Sequence, residues 1–153
     1  MTEFTARKQS EAVLDHERKR VWDVLVDPDL VAAMTPMVSR IDADGPRWRW
    51  TLRRIPLLGS HVDLEFTEAM TFTPEQTITF HHDPQDEERA GVEGRYDLAD
   101  VPGGTHVAID LAITVDLPLP RLSRPVVQAA MHGVLEVMGA GFARALERRL
   151  ATG

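Results

Sequence analysis

Residues 61–82 read HVDLEFTEAMTFTPEQTITFHH, and this stretch decides the fold. Apolar residues alternate with polar ones on both sides of a central turn, and a period of two is typical of β-strands that have one buried face. Thr73-Pro74-Glu75 supplies the turn between the two strands. The stretch therefore predicts a β-hairpin whose apolar face packs against a core.

The same alternation continues on both sides of this hairpin. Strands are predicted over 38–43 and 47–52 before it, and over 91–100 and 105–115 after it, with a short turn at each connection. Sequential strands joined by short turns form an antiparallel meander. The apolar face of such a sheet needs a cover. Residues 123–150, the only long segment with helical spacing, are predicted to provide it.

The predicted C-terminal helix has an apolar stripe and three glycines. The stripe runs through Leu122, Val126, Ala130, Val134, Met138, Gly141 and Ala145. Glycine lowers the stability of a helix by about 1 kcal/mol relative to alanine. Gly133, Gly139 and Gly141 therefore have two interpretations: they leave room for a ligand under the helix, or they let the helix approach its neighbours closely.

A first strand over 4–14 is followed by two short helices. Apolar residues at 21, 22, 25 and 26 have helical spacing and predict a helix over 16–26. Asp27-Pro28 ends it, because the residue before a proline is disfavoured in the α conformation. Asp29 is predicted to cap a second helix over 30–34.

This order of elements, together with VLDHERKRVWDVLVDP at 13–28, resembles the START-like helix-grip superfamily, which includes polyketide cyclase/dehydrase and lipid-transport proteins. The resemblance covers nearly the whole chain and rests on structural motifs. It implies an α+β fold in one domain over 1–153, with a curved antiparallel sheet of about seven strands wrapped around the last helix. It also implies an internal cavity for a lipid, polyketide, isoprenoid or aromatic ligand, and it carries over no catalytic residue.

Composition excludes several function classes. The chain has 17 basic and 24 acidic residues and a formal charge of −7, whereas nucleic-acid binding normally needs a basic surface. There is no cysteine, and the adjacent His81 and His82 point to opposite faces of a strand, so we expect no metal and no cofactor. The polar N-terminus and the lack of a long apolar run predict a cytoplasmic protein without an integral membrane segment.

The candidate binding residues are those on the predicted apolar faces of the strands and of the last helix. They are Trp48, Trp50, Leu64, Phe66, Met70, Phe80, Tyr96, Ile109, Val134 and Met138. We expect these side chains to enclose an apolar small molecule, with Tyr96 able to direct a hydroxyl at it.

Glu68 and His82 interrupt the apolar faces and are the candidate catalytic residues. If the hairpin closes over 73–77, they face each other across neighbouring strands. Such a pair could transfer protons inside a cavity. Two alternatives remain open: a bulge turns Glu68 outward, or His82 lies at a wet rim.

Two connections predicted to lie at the same end of the sheet are unusually apolar. They contain Ile55, Leu57, Leu58, Leu117 and Leu119. These side chains form either an apolar mouth that contacts ligand, membrane or partner, or a closure of the core against the last helix. The leading hypothesis is a carrier or sensor of an apolar molecule. The alternatives are a cyclase or aromatase that uses Glu68 or His82, and an interaction protein that uses the mouth.

Overall fold

Seven strands follow one another across one antiparallel sheet, and a long helix lies in its concave face. The computed structural model describes residues 1–152. Its elements are β1 (Thr2–Leu14), α1 (Arg18–Leu25), α2 (Pro28–Met34), β2 (Val38–Asp44), β3 (Arg47–Leu57), β4 (Ser60–Thr73), β5 (Thr77–His82), β6 (Ala90–Val101), β7 (Gly104–Leu117), a 3₁₀ turn (Arg121–Ser123) and α3 (Arg124–Thr152). This confirms the predicted α+β helix-grip architecture.

The order of strands in the sheet explains its shape. The order is β1-β7-β6-β5-β4-β3-β2, and every neighbouring pair is antiparallel. The first and second strands of the chain thus form opposite edges, and α1 and α2 connect them. The last helix contacts the edge strand β1 on one side and β3, the neighbour of the other edge, on the opposite side, so the sheet curves around α3.

The N-cap of α2 is not the predicted residue. The carboxylate of Asp27, not that of Asp29, accepts hydrogen bonds from the backbone N–H groups of Asp29 and Leu30, at 3.0 and 3.2 Å. Pro28 then occupies the first helical position, where its fixed φ favours the helix and its missing N–H costs nothing. The helix therefore begins two residues earlier than predicted.

The buried face of α3 is rotated by one residue from the predicted stripe. Val127 and Met131 are buried near its start, and Leu146 and Leu150 near its end. Leu122, just before the helix, is 94 % exposed, and Val126 is 60 % exposed. The predicted stripe was therefore wrong at its start, whereas Val134 and Met138 in its middle are half-buried. Because α3 is apolar on almost every side, periodicity alone does not select its buried face.

One segment of the chain is apolar and long enough to cross a membrane, contrary to the prediction. The segment Arg121–Thr152 contains an 18-residue window with a mean hydropathy of 1.3, enough by length and composition to cross a membrane. Its ends, however, are fixed to the rest of the fold. The Gln128 amide donates to the Thr5 carbonyl, and the Arg20 guanidinium donates to the Leu150 carbonyl. These contacts hold both ends of α3 on the fold.

The predicted apolar mouth is mostly core. β3 continues to Leu57 through a bulge between Leu52 and Ile55, and the hairpin turns at Leu58 and Gly59, both at positive φ. Ile55 and Leu117 are buried, Leu57 and Leu119 are half-buried, and only Leu58 is mainly outside, at 46 % exposed. The strand absorbs the segment that was predicted as a loop, and this leaves no contiguous apolar mouth.

Candidate functional site

A cavity of about 390 Å³ lies between α3 and the inner face of the sheet. That volume falls within the ordinary range of small-molecule sites. The structure places all ten predicted binding residues on its wall: Trp48, Trp50, Leu64, Phe66, Met70, Phe80, Tyr96, Ile109, Val134 and Met138. The wall is predominantly apolar, so the cavity suits an apolar ligand or part of one.

The burial pattern of α3 shows why the space exists. The helix is buried at its two ends, whereas the middle residues on the same side, Val134, Met138 and Phe142, are only half-buried. All three line the cavity, and the surface that they expose borders the interior. The two ends of α3 therefore pack against the fold, whereas its middle is separated from the sheet by the cavity.

Glu68 places a carboxyl group on this apolar wall. Its residue is 3 % exposed, and it pairs with Trp48 on β3 and with His82 on β5. No hydrogen bond to its carboxyl group is made by residues 1–152. Burial raises the pKa of Glu68 well above its usual range, because the low-dielectric surroundings disfavour the charged form.

Tyr96 is the second polar group on the inner wall. Its ring lies edge-on to Phe80, with 5.5 Å between ring centroids and 72° between ring planes. Burial, and after it the nearby Glu68 carboxyl, raises the pKa of Tyr96, so the phenol keeps its proton. Both groups can therefore donate a hydrogen bond into the cavity.

Aromatic rings form much of the wall around these two groups. Trp50 stacks on Phe66, with centroids 5.8 Å apart and planes inclined by 15°. Trp48 packs at 6.0 Å against Phe72, which lies at the margin of the core. Such rings supply large apolar contact areas and negatively polarised faces.

His82 does not form the predicted dyad with Glu68. The hairpin does close over 73–77 and the two residues are paired, but the His82 ring donates through Nε2 to Glu88, at 3.0 Å. Gly91 leaves the space for this, since a Cβ there would lie 2.4 Å from His82 Nδ1. His82 is thus committed to the loop after β5, and Glu68 remains as the candidate acid.

Glu88 is a buried polar residue that sequence reasoning missed. Its side chain is 1 % exposed and accepts hydrogen bonds from the backbone N–H and the hydroxyl of Thr67, each at 2.7 Å. Burial acts to raise the pKa of Glu88, but the hydrogen bonds from Thr67, His82 and Gln85 outweigh it and lower that pKa. The carboxylate stays ionised and fastens the loop 83–89 to β4.

The convex face of the sheet carries a second depression beside this loop. It is charged rather than apolar, and Arg49 crosses it to Glu65 at 2.8 Å and to Asp86 at 3.2 Å. These ion pairs are solvated and satisfy each other, so they supply little energy for selecting a charged ligand. Within residues 1–152, no three His, Cys, Asp or Glu side chains are placed to hold a metal ion.

The solvent-exposed residues of the cavity lining all belong to β1 and the middle of α3, and this seam is here called the portal. Its side chains are mostly small or charged: Lys8, Ser10, Glu11 and Ala12 from β1, and Glu136, Ala140, Ala143 and Glu147 from α3. The Lys8 ammonium spans the seam to Glu136, at 2.5 Å. Three carboxylates and one lysine give the portal an acidic rim.

Comparison with solved structures places this architecture among known proteins. The Zhui aromatase/cyclase from Streptomyces sp. R1128 aligns with a TM-score of 0.71 at 11 % identity, over 96 % of this chain and 94 % of its own. A START superfamily protein from Mycobacterium smegmatis aligns with a TM-score of 0.66 at 20 % identity, over 97 % of both chains. A conserved protein from Geobacillus kaustophilus aligns with a TM-score of 0.73 at 14 % identity, over 95 % of both chains.

No protein-family model and no curated protein matches the sequence. The structural similarity is nevertheless extensive, since the alignments cover nearly all of this chain. The chain therefore has the START-like helix-grip fold. At these identities the similarity establishes the fold alone, and function has to be argued from the cavity.

Proposed function

We propose that this protein binds an apolar small molecule in the cavity beneath α3, as a carrier or a sensor. The observation that carries the proposal is the half-exposed middle of α3 above an aromatic and aliphatic wall. A void of this size lined by apolar side chains forfeits packing contacts that a filled core would have. A ligand that fills it restores those contacts and is removed from water, which is the source of affinity.

Binding of a neutral apolar dye tests this proposal. Nile red fluoresces strongly when it leaves water, so titration of the protein with it should give a saturable rise with one site per chain. Val134→Phe fills the cavity, whereas Val137→Phe, three residues along the same helix, places the same ring at an exposed position. We expect the first variant to weaken binding by about tenfold or more, a change of roughly 1.4 kcal/mol. Equal binding by both variants would contradict the proposed location.

A second candidate function is acid catalysis of the cyclase or aromatase type. The supporting observation is Glu68, a buried carboxyl group whose raised pKa keeps it protonated inside a cavity. Such a group could donate a proton to a bound carbonyl or hydroxyl oxygen. His82 is unsuited to this role, because its Nε2 is held by Glu88.

The two candidates differ in what Glu68→Gln does. For a carrier, the variant should bind Nile red as the unmodified protein does, and no turnover exists to be lost. For an enzyme, the variant should bind a poly-β-ketone substrate analogue normally but fail to convert it, with conversion followed by mass spectrometry. Conversion that persists in the variant would exclude Glu68 as the acid.

A further inference from the structure

We infer that the ligand of this cavity carries a protonated amine, whose ammonium group pairs with the Glu68 carboxylate beside the ring of Trp48. This inference rests on the proposed function and names the class of ligand. Its starting point is Glu68, a residue that is 3 % exposed and lines the cavity, and whose carboxyl group makes no hydrogen bond to residues 1–152. A carboxyl group on an apolar wall without a protein partner leaves its hydrogen-bonding capacity to a complementary group in the occupied state.

The charge inventory of the cavity offers an anionic ligand no free cationic partner. Of the lining residues, all within 1–152, Lys8 is the only basic one, and its ammonium is bound to Glu136 at the portal. A fatty acid or other carboxylate beside Glu68 would have to share the proton that Glu68 holds. The cavity therefore favours neutral or cationic molecules.

The aromatic rings near Glu68 favour a cationic ligand over a neutral one. Trp48 is its directly paired neighbour on β3, Phe66 lies two residues away on the same face of β4, and Phe80 lies on β5. All three line the cavity. The negatively polarised faces of such rings attract ammonium groups, most strongly where water is excluded.

The portal adds an independent argument. Glu11, Glu136 and Glu147 are exposed lining residues at the portal. Lys8 compensates the charge of Glu136, and the His106 ring contacts Glu11 at 3.3 Å. Carboxylates at the rim of a cleft raise the local concentration of cations and slow the approach of anions. The portal and the interior of the cavity therefore both favour a positively charged ligand.

Binding should release one proton. In the empty cavity Glu68 holds its proton, and an alkylamine in neutral water holds three on nitrogen. The neutral complex contains either a carboxylate with an ammonium or a carboxyl group with an amine, and in both cases one proton has left for solvent. Tyr96 on β6 is close enough for the Glu68 carboxyl to raise its pKa, and His82 on β5 is paired with Glu68 in the sheet. The other charged residues of the lining are Lys8 and Glu11 on β1 and Glu136 and Glu147 on α3. Amine affinity should therefore rise with pH until the raised pKa of Glu68 is reached.

A matched pair of ligands tests this inference by isothermal titration calorimetry. The two are 2-(2-naphthyl)ethylamine and 2-(2-naphthyl)ethanol, which share a ring system and differ in the polar end. We expect the protein to bind the amine at pH 7.5 at least about tenfold more tightly than the alcohol. Titrations in buffers of different ionisation enthalpy should show release of about one proton with the amine and none with the alcohol.

Two variants locate the effect. Glu68→Gln should abolish the preference for the amine and retain binding of the alcohol, whereas Glu93→Gln, on the exposed face of β6, should leave both affinities unchanged. Alcohol binding that equals or exceeds amine binding would overturn the inference and leave the proposed function standing. Retention of the amine preference by Glu68→Gln would overturn the role of Glu68. Absence of binding for both ligands, together with no Nile red binding, would overturn the proposed function itself.

Discussion

Glu68 and His82 occupy directly paired positions on β4 and β5, yet the His82 ring donates to Glu88 and leaves the Glu68 carboxyl without a partner. As a result, Glu68 and Glu88 lie near the same histidine but in different environments. Glu88 is ionised and holds a loop, whereas Glu68 is protonated and faces the cavity. The sheet thus contains one structural carboxylate and one carboxyl group that is free to meet a ligand.

Glu68 should lower the stability of the folded protein at neutral pH. Because burial raises its pKa above that of the unfolded chain, folding takes up a proton, and stability falls as the pH rises above about 4.3. We predict that Glu68→Gln is more stable than the unmodified protein at pH 8, by more than about 1.4 kcal/mol, the equivalent of one pKa unit. Urea unfolding measures this difference, which should shrink towards pH 4. A variant less stable than the parent at pH 8 would contradict the assignment.

Glu88 should have the opposite effect. Its pKa in the folded state is lowered, so its contribution to stability is complete above about pH 4.3 and is lost as the pH falls through the folded-state pKa. Glu88→Gln should cost about 1–3 kcal/mol at pH 7, because a buried charged acceptor is removed. The exposed neighbour provides the control, since Glu87→Gln should change stability by less than about 0.5 kcal/mol. A cost for Glu88→Gln that grows towards acidic pH would exclude this explanation.

Two glycines of α3 should respond to alanine in opposite directions. A Cβ at Gly133 would meet no atom within 4 Å, so Gly133→Ala should stabilise the protein by about 1 kcal/mol through helix propensity. A Cβ at Gly141 would lie 2.4 Å from Cγ of Pro36, so Gly141→Ala should destabilise it by about 1–3 kcal/mol. Thermal unfolding compares the two. Stabilisation by both would mean that α3 does not pack on Pro36 as described.

The portal should control the rate of exchange more than the affinity. Ala140 lines the seam between α3 and β1, and Ala140→Trp would narrow it without filling the cavity beneath Val134. We expect association and dissociation of Nile red to slow together in stopped-flow fluorescence, with little change in Kd. Ala129→Trp, three turns earlier at an exposed position, is the control. Unchanged rates in Ala140→Trp would place the route elsewhere.

Much of the fold follows from local pattern. Alternation of apolar residues over 61–82 and the turn at Pro74 fix the central hairpin and its register, since a shift by one residue would expose the whole apolar face. The pairing of Glu68 with His82 follows from that register. The ten wall residues are also accessible to such reasoning, because residues on the inner face of a curved sheet have to meet whatever lies inside.

The remaining features depend on contacts that sequence spacing does not encode. The start of the buried face of α3 was misplaced because the helix is apolar on nearly all sides, so only its packing against the sheet selects the buried residues. Glu88 belongs to the acidic run Asp86-Glu87-Glu88, and nothing nearby in sequence indicates Thr67 as its hydrogen-bond donor. The ring of His82 turns to Glu88 because Gly91, nine residues later, leaves room for it.

The methyl groups of the six methionines give the most direct test of the central claim, that the cavity beneath α3 binds an apolar molecule. Met70, Met131 and Met138 line the cavity, whereas Met1, Met34 and Met37 do not. In a titration of methyl-¹³C-methionine protein with Nile red, followed by two-dimensional NMR, we predict saturable shifts of the first three resonances at one equivalent and none for the others. Shifts confined to Met1, Met34 or Met37, or no shift at all, would contradict the claim.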